Sequence, residues 1–211
     1  MLVLASSSPR RRELLAQIGE VFRVESADIS EARLAGEEPS AYVCRLALEK
    51  AQSVWERLHA EHDPSPGVAS DHAGDPLIVL GADTSVVCEG ELLGKPLDSS
   101  DAARMLRLLA GRSHQVLTGI AAVTRSGAIS DVETTEVVFA PIPEDEIAAY
   151  IASGHPFDKA GAYGIQGHAA RWIPRIEGCY FNVVGLPLAR VAAMLDQARR
   201  SVEPVRGGGK R

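Results

Sequence analysis

The sequence predicts an α/β protein in which strands and helices alternate. Three observations carry this. Short apolar runs, Met1-Leu2-Val3-Leu4-Ala5 and Leu77-Ile78-Val79-Leu80, have the length and composition of buried strands. Between such runs lie segments with apolar residues at spacings of 3 and 4, clearest at Val43, Leu46, Ala47 and Val54. With 211 residues and 45% hydrophobic content, the chain is long enough to bury a core as one domain over residues 1–200.

The first strand is followed by Ser6-Ser7-Ser8, a turn ending in an N-cap serine, with Pro9 as the first helical residue. Arg10, Arg11 and Arg12 fill the first turn, and the helix runs through Glu13 to Ile18 until Gly19 stops it. A strand is expected at Phe22–Glu25, an acidic loop at Asp28-Ile29-Ser30-Glu31, and a long helix from Ser40 to about Leu58. His59 to Pro76, rich in Pro, Gly, Asp, Ser and His, reads as a solvated loop, which also disposes of His59, His62 and His72 as a metal cluster. Leu77–Leu80 is a buried strand, and Val86–Cys88 turns through Glu89-Gly90-Glu91 into Leu92-Leu93. A helix spans Ser99–Leu109 before Gly111, and Val116–Thr124 and Ile129–Phe139 form a long hairpin about Arg125-Ser126-Gly127. Pro143–Ile151 is helical, Asp158–Ala170 is a Gly- and Ala-rich loop, and Trp172–Glu177 and Phe181–Val184 are short strands. Leu188–Arg199 closes the fold as a helix, and the tail from Ser201 to Arg211 is expected to be disordered.

A net charge of -6 argues against a nucleic-acid binder, whose affinity needs a basic face, so any anion site must be local. Cys44, Cys88 and Cys179 are odd in number and widely spaced, which encodes neither a disulfide framework nor a zinc site. No run approaches the ~20 apolar residues that span a bilayer, and no leader pattern opens the chain. The expectation is a soluble, cytoplasmic protein without membrane partners.

Five positions invite chemistry. A helix N-terminus repels cations unless an anion sits before it, so Arg10 and Arg11 behind the hydroxyls of Ser6 and Ser8 describe a phosphate seat; arginines pointing into solvent are the alternative. Lys50 lies on the apolar stripe of the long helix, aimed inward or snorkelling to water. Asp83 follows the strand Leu77–Gly81, where open α/β sheets place ligands, and could activate water, hold a metal or end the strand in an Asx turn. Lys95, in Gly94-Lys95-Pro96, reads alone as a surface lysine. Gln166, between glycines, has the donor and acceptor needed to read a nucleobase edge; the spaced glycines around it are no dinucleotide fingerprint, because no buried strand precedes them.

Together these positions fall in blocks that resemble one family. Leu4-Ala5-Ser6-Ser7-Ser8-Pro9-Arg10-Arg11-Arg12-Glu13-Leu14-Leu15 is similar to the N-terminal signature of the Maf nucleoside triphosphate pyrophosphatases. Tyr42–Ala51, Gly81-Ala82-Asp83-Thr84, Gly94-Lys95-Pro96, Ala160–Gly167 and Val184-Gly185-Leu186-Pro187-Leu188 resemble its later blocks in order, from about residue 2 to 195. The longer loop from His59 to Pro76 is the main departure. The resemblance implies an elongated, bent mixed sheet flanked by helices, two lobes around a deep cleft, a homodimer and a divalent cation, Mg²⁺ or Mn²⁺. It implies hydrolysis of a nucleoside triphosphate between the α- and β-phosphates, and the Ala-Asp-Thr and Gly-Ile-Gln-Gly versions are similar to the branch acting on dTTP and UTP rather than 7-methyl-GTP. By the same resemblance Asp83 is the general base, with Lys50 and Lys95 beside it, Glu31 and Glu37 as acidic helpers near the metal, and Arg11, Thr84 and Gln166 at positions that choose the base. A phosphatase, a house-cleaning hydrolase for modified nucleotides, and a non-catalytic nucleotide-binding regulator of cell division remain the competing readings.

Overall fold

The computed structural model describes residues 1–62 and 76–202. Most of the predicted loop between His59 and Pro76, with His72, and the tail beyond Val202 lie outside the described residues. Among the described residues the fold is α/β as expected, with one seven-stranded mixed sheet of order β2-β1-β3-β5-β6-β7 and a short β4 added to β3.

The parallel part comes first. β1 (Leu2–Ala5) lies between β2 (Phe22–Glu25) and the first half of β3 (Ile78–Cys88), parallel to both. α1 (Pro9–Gln17) leaves β1 with Ser8 as its N-cap, whose hydroxyl accepts from the Arg11 N–H. The antiparallel part is a meander: β3 pairs with β5 (Ser113–Thr124), β5 with β6 (Gly127–Val138), and β6 with β7 (Arg175–Glu177). β4 (Glu91–Leu93) folds back on Val86–Cys88.

Side chains alternate across β3, and each face has its own cover. Val79 faces α2 (Pro39–His62) together with Val3, Ala51 and Val54. Gly81 and, on β5, Gly119 opposite Asp83 lie under the same helix; a methyl on Gly81 would overlap the Ala47 carbonyl oxygen, and one on Gly119 that of Val43. Glycine at both positions therefore lets α2 rest directly on the sheet. The opposite face carries two apolar clusters. Leu80, Ala82 and Ile120 pack under α1 and α6 (Leu188–Val202), while Val86, Val116 and Phe139 pack under α3 (Ser99–Leu109) and α4 (Glu144–Ala152).

Four expectations need correction. Leu77–Leu80 is only the beginning of an 11-residue strand, so Asp83 lies in its middle rather than at its end. Phe181–Val184 is helical, within α5 (Tyr180–Val184), because a four-residue apolar run carries no period that separates strand from helix. Of Trp172–Glu177 only Arg175–Glu177 is strand; His168–Trp172 is a 3-10 turn, and the loop before it contains another at Ala160–Ala162. α6 also runs on through Ser201 and Val202, which were expected in the tail.

Candidate active site

β1 ends its pairing at Gly81, and β4 begins its own at Val86. Along the edge between them, residues 82–85 are paired only to β5, so the sheet is split there. A cleft of about 570 Å³ opens at this split and is lined by Asp83 and Thr84, neighbours whose side chains leave opposite faces of one strand. That volume suits a nucleotide-sized ligand.

On the α2 face, Asp83 is 8% exposed. Lys50, one turn beyond Leu46 and Ala47 on the buried stripe, turns its ammonium into the cleft and donates to Asp83 Oδ1 at 2.7 Å. The same Nζ meets Glu31 Oε1 at 2.6 Å, so one cation bridges two carboxylates. Burial pushes the Asp83 carboxyl above its ordinary value, against the pull of Lys50 and Arg11. Burial also acts upward on Glu31, but there the Lys50 hydrogen bond and the charges of Lys50, Lys95 and Arg11 prevail and hold it below the ordinary value. Two carboxylates side by side thus differ in proton affinity, as a base and an electrostatic helper should.

Glu37 does not join them. Arg45 grips it with a fork of 2.6 and 2.8 Å, which holds the Glu37 carboxyl down to about 2, and also donates to the Ala32 carbonyl at 3.1 Å. Because Tyr42 Oη donates to the Glu31 carbonyl at 2.8 Å, the Glu37-Arg45 pair and Tyr42 together fasten the acidic loop on α2 and present Glu31 to Lys50.

On the other face, Arg11 is committed to the protein at three points: Nε to the Gly185 carbonyl at 2.9 Å, Nη1 to Ser6 Oγ at 3.3 Å and Nη2 to Thr84 Oγ1 at 3.0 Å. Ser6 is buried and also accepts from the Ser8 N–H. Arg10 lines the cleft too, but its guanidinium is held by the Asp158 carboxylate at 2.9 Å, while Arg12 is exposed and outside the lining. Lys95 is exposed on the cleft wall, where the Gly94 carbonyl accepts from the Gly161 N–H at 3.0 Å and ties this turn to the Gln166 loop. Gln166 stands exposed at the same cleft. Every site residue singled out from the sequence therefore lines this one cleft except Glu37.

The sequence reading missed Asp158, Arg45, Thr118 and Asn182. The last two carried a signal: Thr118 interrupts the apolar run of β5, and Asn182 sits between Phe181 and Val183-Val184, so both predicted buried polar groups in need of partners.

The family model for Maf-like proteins matches residues 1–198. The chain belongs to the Maf family. It is 49% identical over 197 residues to a dTTP/UTP pyrophosphatase of Koribacter versatilis, covering 93% of this chain and 94% of that one. A dTTP/UTP pyrophosphatase of Symbiobacterium thermophilum is 50% identical over 196 residues, 93% of each chain. One from Shewanella denitrificans is 49% identical over 204 residues, covering 92% of this chain and 96% of the relative. Maf membership agrees with the fold.

Proposed function

We propose that this Maf protein hydrolyses dTTP and UTP to the nucleoside monophosphate and pyrophosphate. The observation that carries the reading is the buried Asp83, raised in proton affinity yet bonded to Lys50, at a split in the sheet wide enough for a nucleotide. Asp83 takes a proton from water, the water oxygen bonds to phosphorus, and the bond to the departing pyrophosphate breaks. Lys95, and Arg10 once it leaves Asp158, balance the charge of the phosphates. The identities of about 50% with proteins named dTTP/UTP pyrophosphatase support the substrate pair.

The proposal includes a divalent cation. Among the described residues no group of three or more His, Cys, Asp or Glu side chains converges as a complete cage. Asp83 and Glu31 fit the habit of Mg²⁺, which takes one or two carboxylates and completes its shell with substrate phosphates and water. Bound there, such a cation neutralises charge developing on the phosphate oxygens. Two further parts belong to the proposal, a homodimer, which rests on the family resemblance alone, and a cytoplasmic location, which rests on the few, widely spaced cysteines. Among the described residues no helix is long and apolar enough to cross a membrane, and the net charge of -6 favours no nucleic-acid partner.

A panel of nucleoside triphosphates with Mg²⁺ or Mn²⁺, scored separately for pyrophosphate and orthophosphate, tests the reading. The expected result is pyrophosphate from dTTP and UTP, abolished by EDTA and restored by metal. Orthophosphate as the product makes the protein a phosphatase; full turnover in EDTA removes the metal; binding without product makes it a regulator.

A further inference from the structure

The hydrogen bonds behind Thr84 run in one direction only. Thr118, directly across from Thr84 on β5, is fully buried and lies outside the cleft lining. Its Oγ1 lies 3.1 Å from the backbone carbonyl of Asn182 and 2.9 Å from Thr84 Oγ1. A carbonyl can only accept, so the single proton of Thr118 goes to Asn182. Thr118 must then accept from Thr84, which uses up the single proton of Thr84. Arg11 Nη2 can only donate, and it occupies one of the two lone pairs on Thr84 Oγ1. What remains for the cleft is one acceptor and no donor.

The anchor of this chain is itself fixed. Asn182 is fully buried, and its Nδ2 donates to the Val116 carbonyl and to Thr135 Oγ1, each at 2.9 Å. Thr135 Oγ1 in turn accepts from the Cys179 N–H at 3.0 Å and lies 3.1 Å from the Cys179 carbonyl. The N-cap and the middle of α5 are thereby tied to β5 and β6, which holds the Asn182 carbonyl toward Thr118.

We infer that Thr118, without touching the ligand, is a positioning residue that makes Thr84 a pure acceptor, so that the cleft selects a base offering a ring N–H at that point. The inference rests on the proposed pyrimidine triphosphate substrates and deepens it. Uracil and thymine carry N3–H; cytosine presents a bare N3 lone pair, which would face the lone pair of Thr84. Leaving a buried acceptor unpaired lowers efficiency by roughly tenfold or more.

The test compares kcat/KM for UTP, CTP and 3-deaza-UTP, which carries C–H where UTP has N3–H, in the wild type, Thr118→Val and Thr118→Ser. Valine keeps the shape of threonine and removes both hydrogen-bonding functions, which frees the Thr84 hydroxyl to turn toward the cleft. The UTP/CTP ratio is expected to fall about tenfold in Thr118→Val, through a lower KM for CTP, and to return in Thr118→Ser. A residue that only supports the fold would lower both substrates together. A ratio unchanged in Thr118→Val, or lost in Thr118→Ser, overturns the inference. Should Thr118→Val fail to fold, the wild type decides: 3-deaza-UTP is expected at least about tenfold below UTP, and equal use of the two overturns it. A wild type that releases no pyrophosphate from UTP instead refutes the substrate reading underneath.

Discussion

Asp83 and Thr84 are consecutive residues on one strand, yet their surroundings have little in common. Asp83 faces α2 and meets an ammonium that bridges it to a second carboxylate. Thr84 faces α5, and apart from one guanidinium its side-chain partner is the Thr118 hydroxyl, which is itself bonded to the Asn182 carbonyl. The split in the sheet lets both faces open into one cleft. Ionic chemistry and neutral recognition can therefore be altered separately, because a β-strand sends neighbours to opposite sides.

The largest effect expected from breaking this pair is on the ionic side. Asp83→Asn keeps shape and hydrogen bonding but cannot take a proton, and should lower kcat by about 100-fold or more while leaving the UTP/CTP ratio intact. Activity of the wild type should rise with pH through a midpoint above that of an ordinary aspartate, since burial raises the Asp83 carboxyl and only its ionised form is a base. Lys50→Met removes a charge that favours ionisation, so the acid limb should move to still higher pH. A limb that stays in place would show that Lys50 does not control Asp83, and a collapsed base preference in Asp83→Asn would show that the two faces are not independent.

A smaller effect is expected at Arg11, which touches the neutral side. Arg11→Ala removes three bonds, to Gly185, Ser6 and Thr84, and should lower kcat/KM roughly 10- to 100-fold. Arg12→Ala, one residue further around α1 and exposed, should stay within about threefold of wild type. Equal damage from both would mean that α1 presents a different face to the substrate.

The parts of this site legible in the sequence are those with strong local rules. Ser8 and Pro9 fix the start of α1 through capping chemistry, and the spacing of Val43, Leu46, Ala47 and Val54 puts Lys50 on the inner face of α2. The hairpin of β5 and β6 follows from two long β-rich runs about a tight turn. The misreadings concern long-range partners. Nothing near Glu37 says that Arg45 claims it, and nothing near Arg10 announces Asp158, 148 residues away. Asp83 reads as a strand end because the large apolar residues Leu77–Leu80 give way to Gly81, whereas Gly81 is there to admit α2. Thr118 and Asn182 offered only the general signal of polar residues in apolar runs; their directional chain exists once β3, β5 and α5 are packed together.

The effect furthest from the chemistry, one on stability alone, concerns how the Thr84 side stays neutral. His114 shares that face of β5, 3% exposed, in a cluster with Phe139 and Tyr163, and its Nε2 lies 2.7 Å from Tyr163 Oη. Burial lowers its pKa from 6.5 to about 4, and Nδ1 meets no hydrogen-bond partner among the described residues, so a second ring N–H would find no acceptor. With the folded value below the unfolded one, the unfolded chain takes up the proton first. The stability linked to neutral His114 is therefore fully present above about pH 6.5 and is lost as pH falls toward 4, by about 3 kcal/mol at most. Urea unfolding of the wild type and of His114→Gln at pH 7.5, 6, 5 and 4.5 measures this directly. Glutamine keeps a hydrogen-bonding partner for Tyr163 without titrating, so the wild type should lose more stability than the variant over that range. Parallel pH profiles for the two proteins would mean that His114 carries its charge inside the cluster, and that the side of the sheet holding Thr84 is not kept neutral by burial.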